Sequence, residues 1–296
     1  MYSQITSNKR KSAILIGLFI GVLAAAGYAY GYATDTGYGG LIIALVISVG
    51  MTLVSWFAGD KIALGMAGAK EVTTRDQNWI VWNLVENLCI ADGLPMPRVY
   101  VIDDPSPNAF ATGRDPQHAS IALTTGLLER MEKTELEGVI AHELSHVKNL
   151  DTRWMILVAV LVGALSLLGD FFFRGSLFRR RGRNNEGGGI FMIIGIVLLV
   201  LAPIIGQLIK LAISRQREYL ADASGALLTR YPDGLARALE KIRDAGQPVS
   251  RAPSATSHLW IANPSGGKSV GNKFMALWST HPPIDDRIQR LREMAT

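Results

Sequence analysis

Cysteine is almost absent. Cys89 stands alone in 296 residues, which excludes an intramolecular disulfide and any thiolate-rich metal site, and it fits a chain working in a reducing compartment. Charge is missing from Ala13 to Ala33 and from Leu41 to Gly59. At about 1.5 Å per residue, a helix over either run can cross a hydrocarbon core of roughly 30 Å. No internal repeat is evident, and no basic stripe interleaved with aromatics accompanies the net charge of +5, so no nucleic-acid partner is expected. The Gly266-Gly267-Lys268-Ser269 run has Ala262 where a phosphate-binding loop needs glycine, and no buried strand precedes it, which argues against ATP binding there.

What is present is apolar. Hydrophobic residues make up 49% of the chain and are bunched into long runs instead of spread at amphipathic spacing, which points to a lipid bilayer as partner. Lys9, Arg10 and Lys11 precede the first run, Asp35 is the only charge in the turn after it, and Lys61 and Lys70 follow the second. The positive-inside bias therefore puts both ends of this pair in the cytoplasm. A cleaved signal peptide is the alternative for the first run, but its apolar core exceeds the roughly 7–15 residues of a signal h-region. A third run, Trp154 to Gly169, is short, and a fourth, Ile190 to Ile209, carries Pro203 as an expected kink. Five arginines between them (Arg174, Arg179, Arg180, Arg181, Arg183) face the lone Glu186. The second pair either spans fully or forms a re-entrant hairpin.

The expected organisation is a two-helix anchor over 1–60, a first catalytic part over 61–153, the third and fourth apolar segments over 154–212, and a second catalytic part over 213–296. Within the soluble stretch, Trp79 to Ile90 reads as a helix and Arg98 to Ile102 as a strand. Asn108 to Thr112 and Ala119 to Thr124 read as a hairpin turning at Gly113-Arg114-Asp115-Pro116. The Gly-, Ser- and Pro-rich segment from Gly246 to Gly271 reads as a mobile loop.

His142-Glu143-Leu144-Ser145-His146 is an H-E-x-x-H pattern. Thr134 followed by Glu137 predicts a helix start just upstream. On that helix Leu136, Ile140, Leu144 and Val147 share one side, while His142 and His146 project from another. Two neutral imidazoles one turn apart can bind one Zn²⁺, with Glu143 beside the metal-bound water as general base. A third ligand must come from another segment. Glu218 is the best candidate, and Asp222, one turn on, can accept the second ring N–H of a ligating histidine. A solvated charged helix face is the other reading of that cluster. His118 and His258 have no partner at ligand spacing.

Several separate motifs then carry a resemblance along nearly the whole chain. They are the basic leader with two apolar runs, Pro107-Asn108-Ala109-Phe110-Ala111-Thr112-Gly113, the H-E-x-x-H helix, Arg217-Glu218-Tyr219-Leu220-Ala221-Asp222, Ser257-His258-Leu259-Trp260-Ile261-Ala262-Asn263-Pro264, and Ser279-Thr280-His281-Pro282-Pro283. In this order they resemble the HtpX-type membrane zinc metalloproteases, a gluzincin family that also contains the CAAX prenyl proteases. The resemblance implies an α-helical integral membrane protein with a mostly helical zincin (gluzincin) catalytic domain carrying a small β-hairpin or sheet. It implies one Zn²⁺ per chain on His142, His146 and Glu218, with Glu143 as catalyst. It further implies that His281 stabilises the oxyanion with Arg287 nearby, and that Asn108, Ala109 and Phe110 form an edge strand for an extended substrate. The implied activity is proteolysis of misfolded membrane proteins at the cytoplasmic face of the bacterial inner membrane. A catalytically dead scaffold and a transporter are the rival classes. The intact His142, Glu143, His146 and Glu218 argue against the first, and runs free of ionisable residues except Asp170 at one margin argue against the second.

Overall fold

The computed structural model describes residues 2–179, 192–198, 200–201, 215–250, 254–264 and 282–295. The chain is an α-helical integral membrane protein with a small mixed sheet. Its long apolar helices are α1 (Tyr2–Ala33), α2 (Gly39–Met66) and α6 (Asp151–Arg179). Within them Ile5–Tyr32, Gly39–Met66 and Asp151–Arg174 are each long and apolar enough to cross a bilayer. The third candidate span covers 24 residues, so it is not short. The helix continues past Gly169 because Asp170 finds Arg174 one turn on, with Nε 2.8 Å from Oδ1, a pairing that lets both charges sit on a helix. Of the fourth run, 192–198 and 200–201 are helical. The rest of it, with Pro203, lies outside the described residues, as do Arg180, Arg181, Arg183 and Glu186.

The chain divides into two compact units: Lys9–Gly59 with Leu157–Ile209, and Met1–Asn8 with Asp60–Ile156 and Lys210–Thr296. The first of these is the apolar one. There α1 and α2 approach through glycine, since a Cβ on Gly40 would meet the Gly27 carbonyl oxygen at 2.3 Å. Small residues that let backbones touch are the usual means of helix packing where lipid removes the hydrophobic drive.

The other unit is built on a four-stranded sheet in the order β1-β2-β4-β3, with β1 (Ala69–Glu71), β2 (Arg98–Ile102), β3 (Ala109–Gly113) and β4 (Ala119–Thr124). The expected hairpin is β3 and β4, paired antiparallel from Ala109↔Leu123 to Gly113↔Ala119. In its link a 3-10 turn at Pro116–His118 is capped by Asp115. β2 adds in parallel to β4, and β1, too short to leave a periodic trace, adds antiparallel to β2. Strand β3 is therefore an edge.

Around the sheet pack α3 (Trp79–Asp92), α4 (Thr125–Arg130), α5 (Lys133–Lys148), α7 (Arg215–Thr229), α8 (Pro232–Ala245) and α9 (Ile284–Ala295). The apolar side expected for α5 is the core: Leu136, Val139, Ile140, Leu144 and Val147 are buried with Leu123, Leu235, Leu239, Ile288 and Leu291. Each such side chain contributes about 1.5–3 kcal/mol over an exposed one. The helix begins earlier than Thr134 predicted. Glu132 is its N-cap and forms the capping box with Glu135, whose Oε2 accepts from the Glu132 N–H at 2.8 Å. Reciprocal satisfaction of two orphan N–H groups decides the start.

The segment expected as a mobile loop over 246–271 is partly fixed. Ser254–Leu259 forms a 3-10 helix, and Trp260 makes an antiparallel bridge to Phe110 with ring centroids 4.8 Å apart. Trp260 is buried, so the apolar residues inside this polar stretch override its composition.

Candidate metal centre

Helix α5 supplies His142, Glu143 and His146, all buried. Helix α7 supplies Glu218 and Asp222, also buried. The helices meet closely because residue 225 is glycine: a Cβ there would lie 3.0 Å from the His142 backbone nitrogen. One turn from His142 along α5, and within reach of Glu218, His146 completes a group whose ligand atoms all lie within 4.8 Å of one another.

The distances suit a metal. His142 Nε2 and His146 Nε2 are 3.2 Å apart. Glu218 Oε1 is 3.5 Å from His146 Nε2 and Glu218 Oε2 is 3.9 Å from His142 Nε2. A tetrahedral ion at ~2.0–2.1 Å from each donor needs donors about 3.3–3.4 Å apart. Both rings also present the same nitrogen to one point. Nδ1 of His142 lies 2.9 Å from Asp222 Oδ1, and Nδ1 of His146 lies 3.0 Å from Asp151 Oδ2. With a carboxylate accepting the Nδ1–H on each ring, both Nε2 atoms converge on one point, where a bound cation would take their lone pairs.

Burial and neighbours set the ionisation. Burial lowers the His142 pKa from 6.5 to about 4, against the opposing pull of Asp222, so the ring is neutral. Burial also opposes the charge on His146, but the hydrogen bond to Asp151 and the charges of Glu218, Asp151 and Glu143 outweigh it and raise the pKa to about 9. Burial pushes Glu143 up to about 7; Glu218 adds to the shift, while His146 and the backbone N–H of Ala111 oppose it. Glu143 Oε1 is buried with no hydrogen-bond partner. A carboxylate oxygen left unpaired beside a His₂Glu donor set suits a general base for a metal-bound water.

Arg287 on α9 is fully buried and grips Asp222 with both arms, Nε to Oδ2 at 2.8 Å and Nη2 to Oδ1 at 2.7 Å. Its Nη1 donates to the Ile261 carbonyl at 2.9 Å and lies 3.6 Å from Glu218 Oε2. His281 lies outside the described residues.

The expected substrate strand is the edge strand β3. Asn108 turns its backbone to β4, its carbonyl accepting from the Thr124 N–H at 3.0 Å. Alternation along an antiparallel ladder then turns Ala109, Ala111 and Gly113 outward. The Ala109 carbonyl accepts from the Ile261 N–H at 2.9 Å. The Asn108 side chain holds the same segment, Nδ2 donating to the Ala262 carbonyl at 3.1 Å. The Phe110 ring packs on Trp260. Asn108, Ala109 and Phe110 thus fasten residues 260–262, and the outward groups nearest Glu143 belong to Ala111.

Asp151, Arg217 and Asn8 are the site neighbours that spacing did not flag. Asp151 lies beyond the end of α5, where helical periodicity no longer gives a side chain's direction. Asn8 is 143 residues from Asp151 in sequence, and no sequence signal joins them.

Comparison with known proteins adds four findings. The model of peptidase family M48 matches residues 75–295. A protein named protease HtpX homolog from Tropheryma whipplei (strain Twist) is 45% identical over 294 residues, covering 99% of this chain and 98% of that one. One of the same name from Dictyoglomus turgidum is 44% identical over 293 residues, covering 99% and 94%. The crystal structure of S. mikatae Ste24p has a similar fold, with a TM-score of 0.53 at 20% identity, covering 98% of this chain and 67% of that one.

Proposed function

The chain belongs to peptidase family M48 and is a membrane metalloprotease, and on that premise we propose that it is a zinc-dependent endopeptidase acting on misfolded membrane proteins. Its place in this reading is the bacterial inner membrane, with the catalytic unit facing the cytoplasm. The observation that carries the proposal is the buried triangle of His142 Nε2, His146 Nε2 and Glu218 carboxylate beside the unpaired Glu143 Oε1.

Zinc held there would supply a water of lowered pKa and a Lewis acid for the scissile carbonyl. Glu143, beside that donor set, would take the proton of such a water and deliver it to the leaving amine. Asp222 and Asp151 keep the protons of His142 and His146 on Nδ1, so that both Nε2 atoms remain donors. His281 is assigned to the developing oxyanion, with Arg287 as a helper that positions the ligands through its hold on Asp222 and its approach to Glu218.

A substrate in extended form would pair with the outward Ala111 carbonyl and the outward backbone of Gly113, the Ala111 N–H being given to Glu143. Main-chain pairing reads no side chains, which favours broad specificity and unfolded segments over one sequence. Lys9, Arg10 and Lys11 before the first run, with Lys61 and Lys70 after the second, support the cytoplasmic orientation.

The test is a comparison of variants purified in detergent. Glu143→Gln should retain about one zinc per chain and lose nearly all hydrolysis of an unfolded substrate such as casein. His142→Ala, His146→Ala and Glu218→Ala should lose both. Wild-type rates from Glu143→Gln would show the mechanism to be wrong.

A further inference from the structure

We propose that Asp151, held by Asn8 and Arg217, is a positioning residue for His146, so that the N-terminal end of α1 helps to fix the metal centre. The inference rests on the reading of His142, His146 and Glu218 as metal ligands.

The chain of contacts is continuous and buried. Asp151 Oδ2 lies 3.0 Å from His146 Nδ1. Its Oδ1 accepts from Asn8 Nδ2 at 2.7 Å and from Arg217 Nη1 at 3.3 Å. Asn8 Oδ1 accepts from the same Arg217 Nη1 at 3.2 Å, and Asn8 Nδ2 also donates to the Asn149 carbonyl at 2.9 Å. Asn8, Asp151 and Arg217 are exposed by 0%, 3% and 5%.

Each contact has a consequence for His146. A ring that donates through Nε2 must carry its proton on Nδ1, and an acceptor there fixes both tautomer and ring plane. Asp151 is that acceptor. A buried carboxylate needs a counter-charge, which Arg217 supplies, but a counter-charge alone does not fix where the carboxylate points. Asn8 does so by bonding two groups at once. Asn149 is the C-cap of α5, and Asp151 opens α6. The link between them is Leu150, a non-glycine residue at φ +59°, a conformation that persists where surrounding contacts impose it. The Asn8 amide clasps both sides of that link. Arg217, adjacent to Glu218, joins the same cluster to the third ligand's helix.

Polar residues ahead of a membrane span ordinarily serve as a topogenic leader, which Lys9, Arg10 and Lys11 suffice to provide. A fully buried asparagine whose amide is bonded on both atoms is not part of a solvated leader. It holds the end of the helix that carries both histidines.

The test uses the full-length protein in detergent with two readouts besides activity: zinc dissociation by competition with a chromogenic chelator, and the visible absorption of the cobalt-substituted protein. Asp151→Ala should weaken zinc binding about 10–100-fold and alter the cobalt spectrum, as loss of a ligand-orienting partner does. Asn8→Ala, which keeps the carboxylate but loses its clasp, should weaken zinc binding about 3–10-fold and shift the spectrum in the same sense. Asn8→Ala is the milder change and carries the test should Asp151→Ala not fold. An unchanged zinc Kd and cobalt spectrum in either variant, with only a lower melting temperature, would make the cluster a packing feature and overturn the proposal. Full zinc affinity in Glu218→Ala, or none in the wild type, would overturn the ligand assignment itself and this inference with it.

Discussion

Asp222 Oδ1 lies 2.9 Å from His142 Nδ1, and the same carboxylate is gripped by both arms of Arg287. One side chain thus fixes the tautomer of a proposed metal ligand and neutralises a fully buried guanidinium. The two tasks separate under mutation. Asp222→Asn keeps an acceptor oxygen for the ring and should weaken metal binding modestly. Asp222→Ala removes both partners at once: metal affinity should fall about 10–100-fold, and the stranded Arg287 should cost about 3–5 kcal/mol of stability. Chelator competition and thermal melts of the two variants, run side by side, measure each effect.

The histidine pair makes metal binding a proton-releasing reaction. In the metal-free protein His142 is neutral near pH 7, whereas the His146 pKa is raised from 6.5 to about 9. A cation must displace the His146 proton, so zinc affinity should rise about tenfold per pH unit from pH 7 and level off above about 9. Calorimetric titrations in buffers of different ionisation enthalpy should count about one proton released per zinc at pH 7. The sign for stability is the reverse. A raised pKa favours the protonated fold, so the His146 contribution is full below pH 6.5 and lost as pH rises through about 9. Metal-free protein should therefore melt at lower temperature as pH climbs through that window, while the zinc-loaded protein does not follow.

Much of this site could be read from the sequence because its parts are local. The H-E-x-x-H spacing places two imidazoles on one face, and Glu218 and Asp222 share another face one turn apart. Arg98–Ile102 was legible as a strand because Val99, Val101 and Ile102 are β-branched and Tyr100 is aromatic, although its burial does not alternate strictly. What could not be read were contacts made after periodicity stops. Asp151 reaches His146 across Leu150, whose φ of +59° interrupts the helix between them, and Asn8 arrives from a distant part of the sequence. Composition misled over 246–271, where Trp260 and Ile261 are buried in a stretch that is otherwise polar.

Cys89 should behave as an internal reporter of unfolding. It is buried, and burial with the nearby charge of Asp92 pushes its pKa up to about 12 from 9.0. The thiolate is the reactive form, so at pH 8 the folded protein should resist a maleimide that labels the denatured protein within minutes. The raised pKa also means that this group favours the fold below pH 9.0 and ceases to as pH rises through about 12. Rapid labelling of the native protein at pH 8 would contradict the buried position.

The remaining prediction concerns how the second apolar pair crosses the membrane. His142 and His146 precede α6, and Glu218 follows the fourth run, so the two sides of the metal centre must lie on one face of the bilayer. Two full crossings satisfy this, and so does a hairpin that never crosses. Full crossings put the loop carrying Arg174, Arg179, Arg180, Arg181 and Arg183 outside, against the positive-inside bias. Two considerations outweigh that bias. The third candidate span covers 24 residues, Asp151–Arg174, which at about 1.5 Å each exceeds a core of roughly 30 Å. A re-entrant turn would also need protein around its unpaired peptide groups, because lipid offers them no partner. In the proposed topology the first two spans would set orientation, and ligation by Glu218 would hold the second pair to it. Four spans are therefore expected. A cysteine at Ser176 in a Cys89→Ser background should react with a membrane-impermeant maleimide on intact cells. Protection in intact cells with labelling only after lysis would place the loop in the cytoplasm and replace the four-span topology with the hairpin.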